Sequence, residues 1–238
     1  MSEQPRLTDL DAPLAQLESV RGNLTVHVHR WMEMLSERRP IFHSEADFQF
    51  ALAMLMSEDD QVSKIRLERR IALRGPLRDR AYVNVDILAH LDGQPVGLEV
   101  KYPKRSLECT APADGELEDF RLPEGACDVD APEFWHDTAR MERLIAEEVI
   151  FAGASLMLSN YKLWEPNRLM SARSKAHAFA LYDGRTVEAG QTLAWREATA
   201  KVDTGPVHLQ HEYHCRWQPY SIVGGGDTEF RYLVLEPV

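Results

Sequence analysis

The segment from residue 81 to residue 101 constrains the fold of this chain most strongly, because it predicts the register of a β-hairpin. Two runs of alternating apolar residues flank Asp92-Gly93, a dipeptide typical of two-residue hairpin turns. With these two residues in the turn, Asp86 and Glu99 are direct cross-strand partners. Opposed residues of an antiparallel pair share one face of the sheet, so the two carboxylates are predicted to lie side by side.

The predicted register also sorts the neighbouring side chains between the two faces of the hairpin. Lys101 is two residues beyond Glu99 and therefore lies on the same face, with Asn84 opposite it. The other face is uniformly apolar and is expected to pack on a core; it carries Val83, Val85, Ile87, Ala89, Val96, Leu98 and Val100.

Two opposed carboxylates on a half-buried sheet repel each other and need a positive partner. A divalent cation is one such partner, because Mg²⁺ binds through one or two carboxylates plus substrate oxygens. Lys101 beside such a site can orient or deprotonate a water, or stabilise charge in a transition state. The alternative is a solvent-facing polar stripe in which Lys101 bridges Asp86 and Glu99. A turn displaced by one residue would instead move the two acids to opposite faces.

The remaining periodicity predicts an α/β (α+β) fold with a mixed sheet. Helical spacing of apolar residues covers residues 24 to 37, 133 to 151 and a segment that begins at Ser44, where Ser44 and Asp47 resemble a capping box. Strand patterns cover residues 64 to 73, 81 to 91, 95 to 102, 154 to 159, 177 to 182, 207 to 215 and 230 to 235.

At the hairpin the chain resembles the PD-(D/E)XK nuclease superfamily. The motif is an Asp on one strand and Glu/Asp-x-Lys on the next, here Asp86 and Glu99-Val100-Lys101. Many members also carry a Glu in the first core helix, which Glu45 matches, and Gln49 lies one turn further along. Val85 stands where the name-giving Pro would be. The resemblance covers residues 41 to 160.

This resemblance implies a restriction-endonuclease-like mixed β-sheet flanked by helices, with a β-rich C-terminal extension. We expect an N-terminal helical segment (residues 1–40), a nuclease-like core (41–173) and the extension (174–238), packed as one globular unit. The resemblance also implies that the protein hydrolyses phosphodiester bonds with the help of Mg²⁺ or Mn²⁺. Asp86, Glu99 and the carbonyl of Val100 would hold the metal, Lys101 would position or activate water, and Glu45 would complete the site.

The net charge of −11 opposes binding to nucleic acid unless the charge is unevenly placed, as it is here; two solvated faces of one globule are the alternative explanation of the pattern. Residues 61 to 105 contain ten Lys/Arg and five Asp/Glu, whereas residues 106 to 133 contain nine acids and one Arg. DNA is the expected partner. The candidate contacts are Gln49, Arg66, Arg69, Arg70, Arg74, Lys104, Arg105 and, because the family packs this helix near its site, Arg140. Asp137 and Arg140 are spaced i, i+3, and a surface ion pair is their simpler interpretation.

The acidic segment from residue 106 to residue 133 suggests either a solvated insertion or a lid over the basic surface. Its three prolines are expected to interrupt regular structure. The chain shows no membrane-spanning run, signal peptide or cysteine pairing pattern, so a cytoplasmic protein without a membrane partner is expected. A homodimer is one assembly compatible with the sequence.

Two alternatives to a DNA nuclease remain open. One is a non-catalytic, nuclease-like module that binds nucleic acid or protein, and the other is a hydrolase with paired carboxylates, such as a glycosidase. The sequence does not distinguish DNA from RNA, or endonuclease from exonuclease action.

Overall fold

The structure is a computed structural model that describes residues 23–77, 80–125, 127–166, 174–196, 205–226 and 228–237. Most of the predicted segment 1–40 therefore lies outside the described residues. In the described part the fold is mixed α/β, with three α-helices and a six-stranded mixed sheet. The helices are α1 (Leu24–Arg38), α2 (Glu45–Met56) and α3 (Cys127–Ala146).

The strands of the described residues are β1 (Val62–Leu77), β2 (Arg80–Leu91), β3 (Gln94–Lys101), β4 (Leu107–Ala113), β5 (Glu116–Leu122), β6 (Ala152–Ser159), β7 (Thr186–Val187), β8 (Thr192–Leu193), β9 (Val207–His208), β10 (Tyr213–His214), β11 (Gln218–Val223) and β12 (Thr228–Leu235). Six of them form one sheet in the order β1-β2-β3-β6-β12-β11, in which β3 and β6 are parallel and the other neighbours are antiparallel. The two C-terminal strands, β11 and β12, thus belong to the same sheet as the hairpin of β2 and β3.

The first two helices begin and pack as the sequence predicts. The apolar stripe of α1 is buried, from Leu24 to Leu35. Ser44 is the N-cap of α2, and its hydroxyl accepts the backbone N–H of Asp47 at 3.1 Å. The Asp47 carboxylate accepts the N–H of His43 rather than that of Ser44, so the capping box is displaced by one residue.

The predicted hairpin register is confirmed near the turn. Asp92 and Gly93 both have positive φ, 48° and 81°, as a type I′ turn requires. The ladder between β2 and β3 runs from Leu91 opposite Gln94 to Ile87 opposite Leu98.

At Asp86 the two strands part, and this corrects the predicted direct pairings of Asp86 with Glu99 and of Asn84 with Lys101. The ladder between β2 and β3 ends at Ile87, and the Asp86 carboxylate accepts the backbone N–H of Val100 in place of a strand carbonyl. Beyond this point β2 stays paired with β1 alone. The two strands form a two-stranded projection, residues 69–77 and 80–85, which we call the β1–β2 ribbon.

The parting of the strands also divides the apolar face that the sequence predicts to be continuous. Ile87 and Ala89 pack in the core beneath α1 and α2. Val83 and Val85 instead pack with Met141, Leu144 and Ile150, on the side of the sheet that α3 covers. The change of side coincides with the end of the β2–β3 ladder at Asp86.

Glycine brings α3 close to the central strands. A Cβ atom on Gly153 of β6 would lie 2.9 Å from Ile150 Cδ1 and 2.9 Å from Met141 Sδ. A Cβ on Gly97 of β3 would lie 3.1 Å from the same Ile150 atom. These two glycines therefore let α3 lie directly over β3 and β6.

Three sequence-based predictions of secondary structure are wrong. The acidic segment is ordered: β4 and β5 form a hairpin that includes Pro112, and α3 begins at Cys127 and contains Pro132. Residues 177 to 182 contain a 3-10 turn instead of a strand, and residues 207 to 215 contain two separate two-residue strands. None of the helices in the described part of the chain combines the length and apolar character that crossing a membrane requires.

The hairpin of β4 and β5 does not cover the side of the sheet that faces α3. Phe120 stacks on His43 with ring centroids 4.3 Å apart, and Glu118 lies 3.0 Å from His43 Nε2. The acidic hairpin therefore packs beside the connection between α1 and α2, and the lid hypothesis is not supported.

Candidate active site

The two carboxylates of the predicted pair lie together at the point where β2 and β3 part. Asp86 Oδ2 accepts the N–H of Val100, the residue after Glu99, at 2.7 Å, and the charge of Asp86 is one of the causes that raise the pKa of Glu99. Glu99 is only 2% exposed, and both residues line one large cavity. Two ionised carboxylates in one partly buried site repel each other, so a proton or a cation at this pair would be stabilising.

Lys101 lies on the Glu99 side of β3 and meets acids from two helices. Its Nζ is 3.3 Å from Asp137 Oδ2 of α3 and 3.8 Å from Glu45 Oε1 of α2. Burial acts to lower the Lys101 pKa, but the surrounding carboxylates, Asp137 first, outweigh burial and raise it. Lys101 is therefore an ammonium group at neutral pH.

Asp137 and Arg140 form a pair inside the cavity, with Asp137 buried and Arg140 half-buried, and this corrects the simpler interpretation of a surface ion pair. Arg140 Nη2 lies 2.9 Å from Asp137 Oδ1, and Arg140 Nη1 lies 2.7 Å from Glu99 Oε1. The Asp137 side chain is 2% exposed. The close approach of α3 to Gly153 places both residues over the sheet, which the i, i+3 spacing alone does not reveal. Asp137 is thus a site residue that the sequence analysis did not select.

Glu45 and Gln49 approach the site from α2, one helical turn apart. Glu45 Oε2 accepts the backbone N–H of Tyr102 at 2.8 Å. Gln49 is buried; its Nε2 donates to the Asp86 carbonyl at 2.6 Å and to Glu68 Oε1 at 3.1 Å. Glu45 therefore touches the site through Lys101, and Gln49 holds the backbone of Asp86 instead of lying free for DNA.

The electrostatics of the site favour a further positive charge. Burial raises the pKa of Asp86, Glu99 and Asp137, and in Glu99 the charge of Asp137 raises it further, so that it stands well above its usual value. In the described part of the chain, Lys101 and Arg140 pair with the carboxyl groups of Glu45, Glu99 and Asp137, and Asp86 adds a fourth acid beside them. A divalent cation would balance this charge.

The residues present fit a magnesium-type site with few protein ligands. Across the described residues, no group of three or more His, Cys, Asp or Glu side chains converges as a ready-made metal cage. Mg²⁺ characteristically uses one or two carboxylates and completes its shell with water and substrate oxygens. Asp86 and Glu99 line the cavity together and would supply the two carboxylates that such a site needs.

The predicted phosphate contacts are only partly brought together. Arg70 and Arg140 line the cavity with the carboxylates, and Arg70 stacks on Tyr82 with its Cζ 3.9 Å from the ring centroid. Arg66, Arg69 and Arg74 are exposed on β1 and are not among the described residues that line the cavity. Lys104 packs on the ring of Tyr102 at 5.0 Å, and it and Arg105 also lie outside the described cavity lining.

The cavity has a volume of about 1600 Å³ and extends along one face of α3 from Glu133 to Ala146. These fourteen helical residues correspond to about 21 Å. The β1–β2 ribbon lines one side, and the segment of residues 206–211 lines another; we call this segment the 206–211 wall. The carboxylate pair therefore opens into an elongated groove.

The chain was compared with protein-family models, with curated proteins and with solved structures, and none of the three comparisons found a match. The likeness to the PD-(D/E)XK superfamily therefore stays a prediction from the residues of the motif.

Proposed function

We propose that this protein is a metal-dependent phosphodiester hydrolase that acts on DNA, with a restriction-endonuclease-like core. The observation that carries the proposal is that half-buried Asp86, held by the N–H of Val100, lines one cavity with the buried carboxyl group of Glu99, and the Lys101 ammonium lies on the same side of the sheet. The arrangement of α2, the β2–β3 hairpin, α3 and the parallel strand β6 also agrees with the element order of that superfamily.

The metal site of this hydrolase would consist of Asp86, Glu99 and the carbonyl oxygen of Val100. A bound Mg²⁺ or Mn²⁺ supplies Lewis-acid polarisation of the phosphate and lowers the pKa of a coordinated water. The N–H of Val100 fixes Asp86 Oδ2, and Gln49 fixes the Asp86 carbonyl, so the carboxylate is oriented before any ligand binds.

Lys101 acts as a positive charge in this scheme rather than as a general base. Its pKa is raised, so it cannot accept a proton from water at neutral pH. Its Nζ can donate a hydrogen bond to an oxygen of the reacting phosphate, where negative charge increases in the transition state. Asp137 and Glu45 hold the ammonium group in position.

Arg140 is the natural phosphate contact of the site. Its guanidinium group already pairs with Glu99 and Asp137, and an entering phosphate would offer it a further partner that can accept two hydrogen bonds. Moving Nη1 from Glu99 to a phosphate oxygen would leave Glu99 available to the metal.

One observation favours the alternative of a non-catalytic nucleic-acid-binding module. The contact of 2.7 Å between Arg140 and Glu99 partly neutralises the buried acid without a metal. In such a module Arg140 would keep Glu99 paired permanently, and the groove would bind DNA without cleaving it.

A cleavage assay separates the two functions. Plasmid DNA and a labelled single-stranded oligonucleotide are incubated with the protein in Mg²⁺, Mn²⁺ or EDTA. We expect cleavage that requires the metal and is lost in Asp86→Asn and Glu99→Gln, whereas Glu116→Gln, an equal charge change on exposed β5, keeps it. Binding without cleavage in any metal would favour the non-catalytic module.

A further inference from the structure

We propose that the groove along α3 binds a single-stranded DNA segment and that Tyr82, covered on one face by Arg70, is a stacking site for one of its bases. The inference rests on the proposed function for the cleavage step but makes a separate statement about substrate class. Three features support it: the shape of the groove, the hydrogen bonds that fix the walls of the groove, and the side chains of the β1–β2 ribbon, which forms the wall called the ribbon wall below.

The groove is larger than a small-molecule pocket. Its volume of about 1600 Å³ exceeds the 300–1,000 Å³ typical of sites for small ligands. It is also elongated, since its lining follows α3 for almost four turns. A segment of polymer fits such a shape better than one compact molecule.

The ribbon wall is fastened to the C-terminal end of α3. The Arg143 guanidinium donates to the carbonyl of Gly75 in β1 and to Glu147 Oε1 at 2.8 Å. Glu147 Oε2 in turn accepts the backbone N–H of Arg74 at 3.0 Å. The ribbon is therefore held against α3 although β3 no longer pairs with it.

The 206–211 wall is fastened to the same helix by the neighbouring residue, Glu142. Its buried carboxylate accepts the backbone N–H groups of Gln210 and His211 at 2.9 and 3.0 Å. It also accepts the hydroxyl of Tyr213 at 2.8 Å. Adjacent positions on α3 thus fix two walls, and the groove exists before a ligand enters.

The groove has fixed walls and its reactive groups lie at its base, and this geometry favours binding of a single strand over binding of a duplex. Glu99 and Asp137 are almost fully buried, so a phosphate must enter between the walls to reach them. Duplex DNA is stiff and carries its phosphates on a convex outer surface. A single strand bends into a groove and turns its bases onto side chains of the wall.

The ribbon wall carries the chemistry that stacks bases. Tyr82 is 47% exposed and lines the groove, and the Arg70 guanidinium lies over its ring at 3.9 Å. Aromatic rings and Arg guanidinium planes both stack on bases without regard to sequence. Arg70 can also contact the backbone phosphate beside the stacked base.

The test measures affinity in EDTA, where metal-dependent cleavage is absent, by fluorescence anisotropy. The probes are a labelled 20-nucleotide single-stranded DNA, the duplex of the same sequence and a single-stranded RNA of that sequence. We expect the single-stranded DNA to bind more tightly than the duplex, and Tyr82→Ala to weaken it about tenfold. Tyr82→Phe should keep the affinity, as should Phe50→Ala, which removes an exposed aromatic ring from α2. Arg70→Gln should lower the slope of log affinity against log salt by about one.

The outcomes distinguish this inference from the proposed function. Metal-dependent cleavage combined with tighter duplex binding, or with unchanged affinity in Tyr82→Ala, would overturn the stacking site and leave the hydrolase intact. Single-strand binding that depends on Tyr82, without cleavage in any metal, would support the groove and reject the hydrolase. Equal Tyr82 dependence for the RNA probe supports the stacking site too, because stacking does not involve the sugar.

Discussion

Asp86 Oδ2 accepts the backbone N–H of Val100 at 2.7 Å, at the point where β2 leaves β3. A side chain thus takes the place of a strand carbonyl, and the separated strands make room for Glu99 and Arg140. The same contact orients Asp86 and frees the β1–β2 ribbon to form a wall of the groove. The proposed metal site and the proposed binding groove therefore share one structural origin.

The stability of the metal-free protein is predicted to fall as pH rises. The Glu99 pKa is raised in the folded state above its ordinary value of 4.5, so the folded protein retains a proton that the unfolded chain releases. The contribution of Glu99 to the free energy of unfolding is therefore fully present below pH 4.5. As the pH rises above 4.5, this contribution decreases by about 1.4 kcal/mol per pH unit for one proton, until the pH passes the pKa of the folded state. Urea unfolding at several pH values in EDTA measures this slope.

The matched variant Glu99→Gln should flatten that pH dependence, because it removes a carboxyl group whose pKa is raised well above its usual value. Added Mg²⁺ should likewise raise the wild-type stability at neutral pH, since a ligand that binds only the folded state stabilises it. An identical slope in wild type and Glu99→Gln would show that Glu99 is not the buried acid that controls stability.

Lys101→Met is predicted to lower the cleavage rate by about 10²–10³-fold with little change in DNA affinity. The ammonium group is assigned to charge that develops in the transition state, and loss of one such donor has an effect of this size. Single-turnover cleavage and anisotropy measure the two quantities. Lys101→Arg, which keeps the charge, should retain part of the rate; equal loss of affinity and rate would instead assign Lys101 to ground-state binding.

Gly153→Ala is predicted to reduce stability by about 1–3 kcal/mol and to reduce cleavage. The new Cβ would lie 2.9 Å from Met141 Sδ and Ile150 Cδ1 and 3.3 Å from Met141 Cβ, so both side chains must repack, and any outward shift of α3 would move Asp137 and Arg140 away from the site. Thermal unfolding and cleavage rates report the two effects. Adding Met141→Ala should restore part of the stability, and an unchanged unfolding temperature in the single variant would contradict the close packing.

Glu142→Ala is predicted to lower the unfolding free energy by about 2–4 kcal/mol. Its buried carboxylate accepts hydrogen bonds from Gln210, His211 and Tyr213, and the substitution leaves those donors without an acceptor. Glu142→Gln keeps one acceptor oxygen and should lose less. Denaturant unfolding gives both values. Equal free energies of unfolding for wild type, Glu142→Ala and Glu142→Gln would contradict the stabilising role of the hydrogen bonds between Glu142 and the 206–211 wall.

The hairpin was predictable from sequence because its register depends on a local turn. Asp92-Gly93 determines which residues of β2 and β3 pair as far as Ile87 and Leu98. The separation at Asp86 was not predictable from the same pattern, since it depends on a competition between a carboxylate and a strand carbonyl. Gln49 of α2 stabilises the outcome from far along the chain.

The burial of Asp137 beside Arg140 was also not predictable from the sequence. The i, i+3 spacing of Asp137 and Arg140 is visible in the sequence, but it fits a surface pair as well as a buried one. Burial follows from α3 packing on Gly153, and that is a tertiary contact. Tyr82 lies within the predicted strand of residues 81 to 91, and the strand pattern does not show that its side chain lines a groove. That position depends on where the β2–β3 ladder ends.

The most direct test of the central claim is a Mn²⁺ titration of the metal-free protein followed by electron paramagnetic resonance. The account predicts saturable binding of Mn²⁺ to wild type and to Glu116→Gln, with loss of that binding in Asp86→Asn and in Glu99→Gln. Equal Mn²⁺ binding by all four proteins, or no binding by wild type, would contradict a metal site at Asp86 and Glu99.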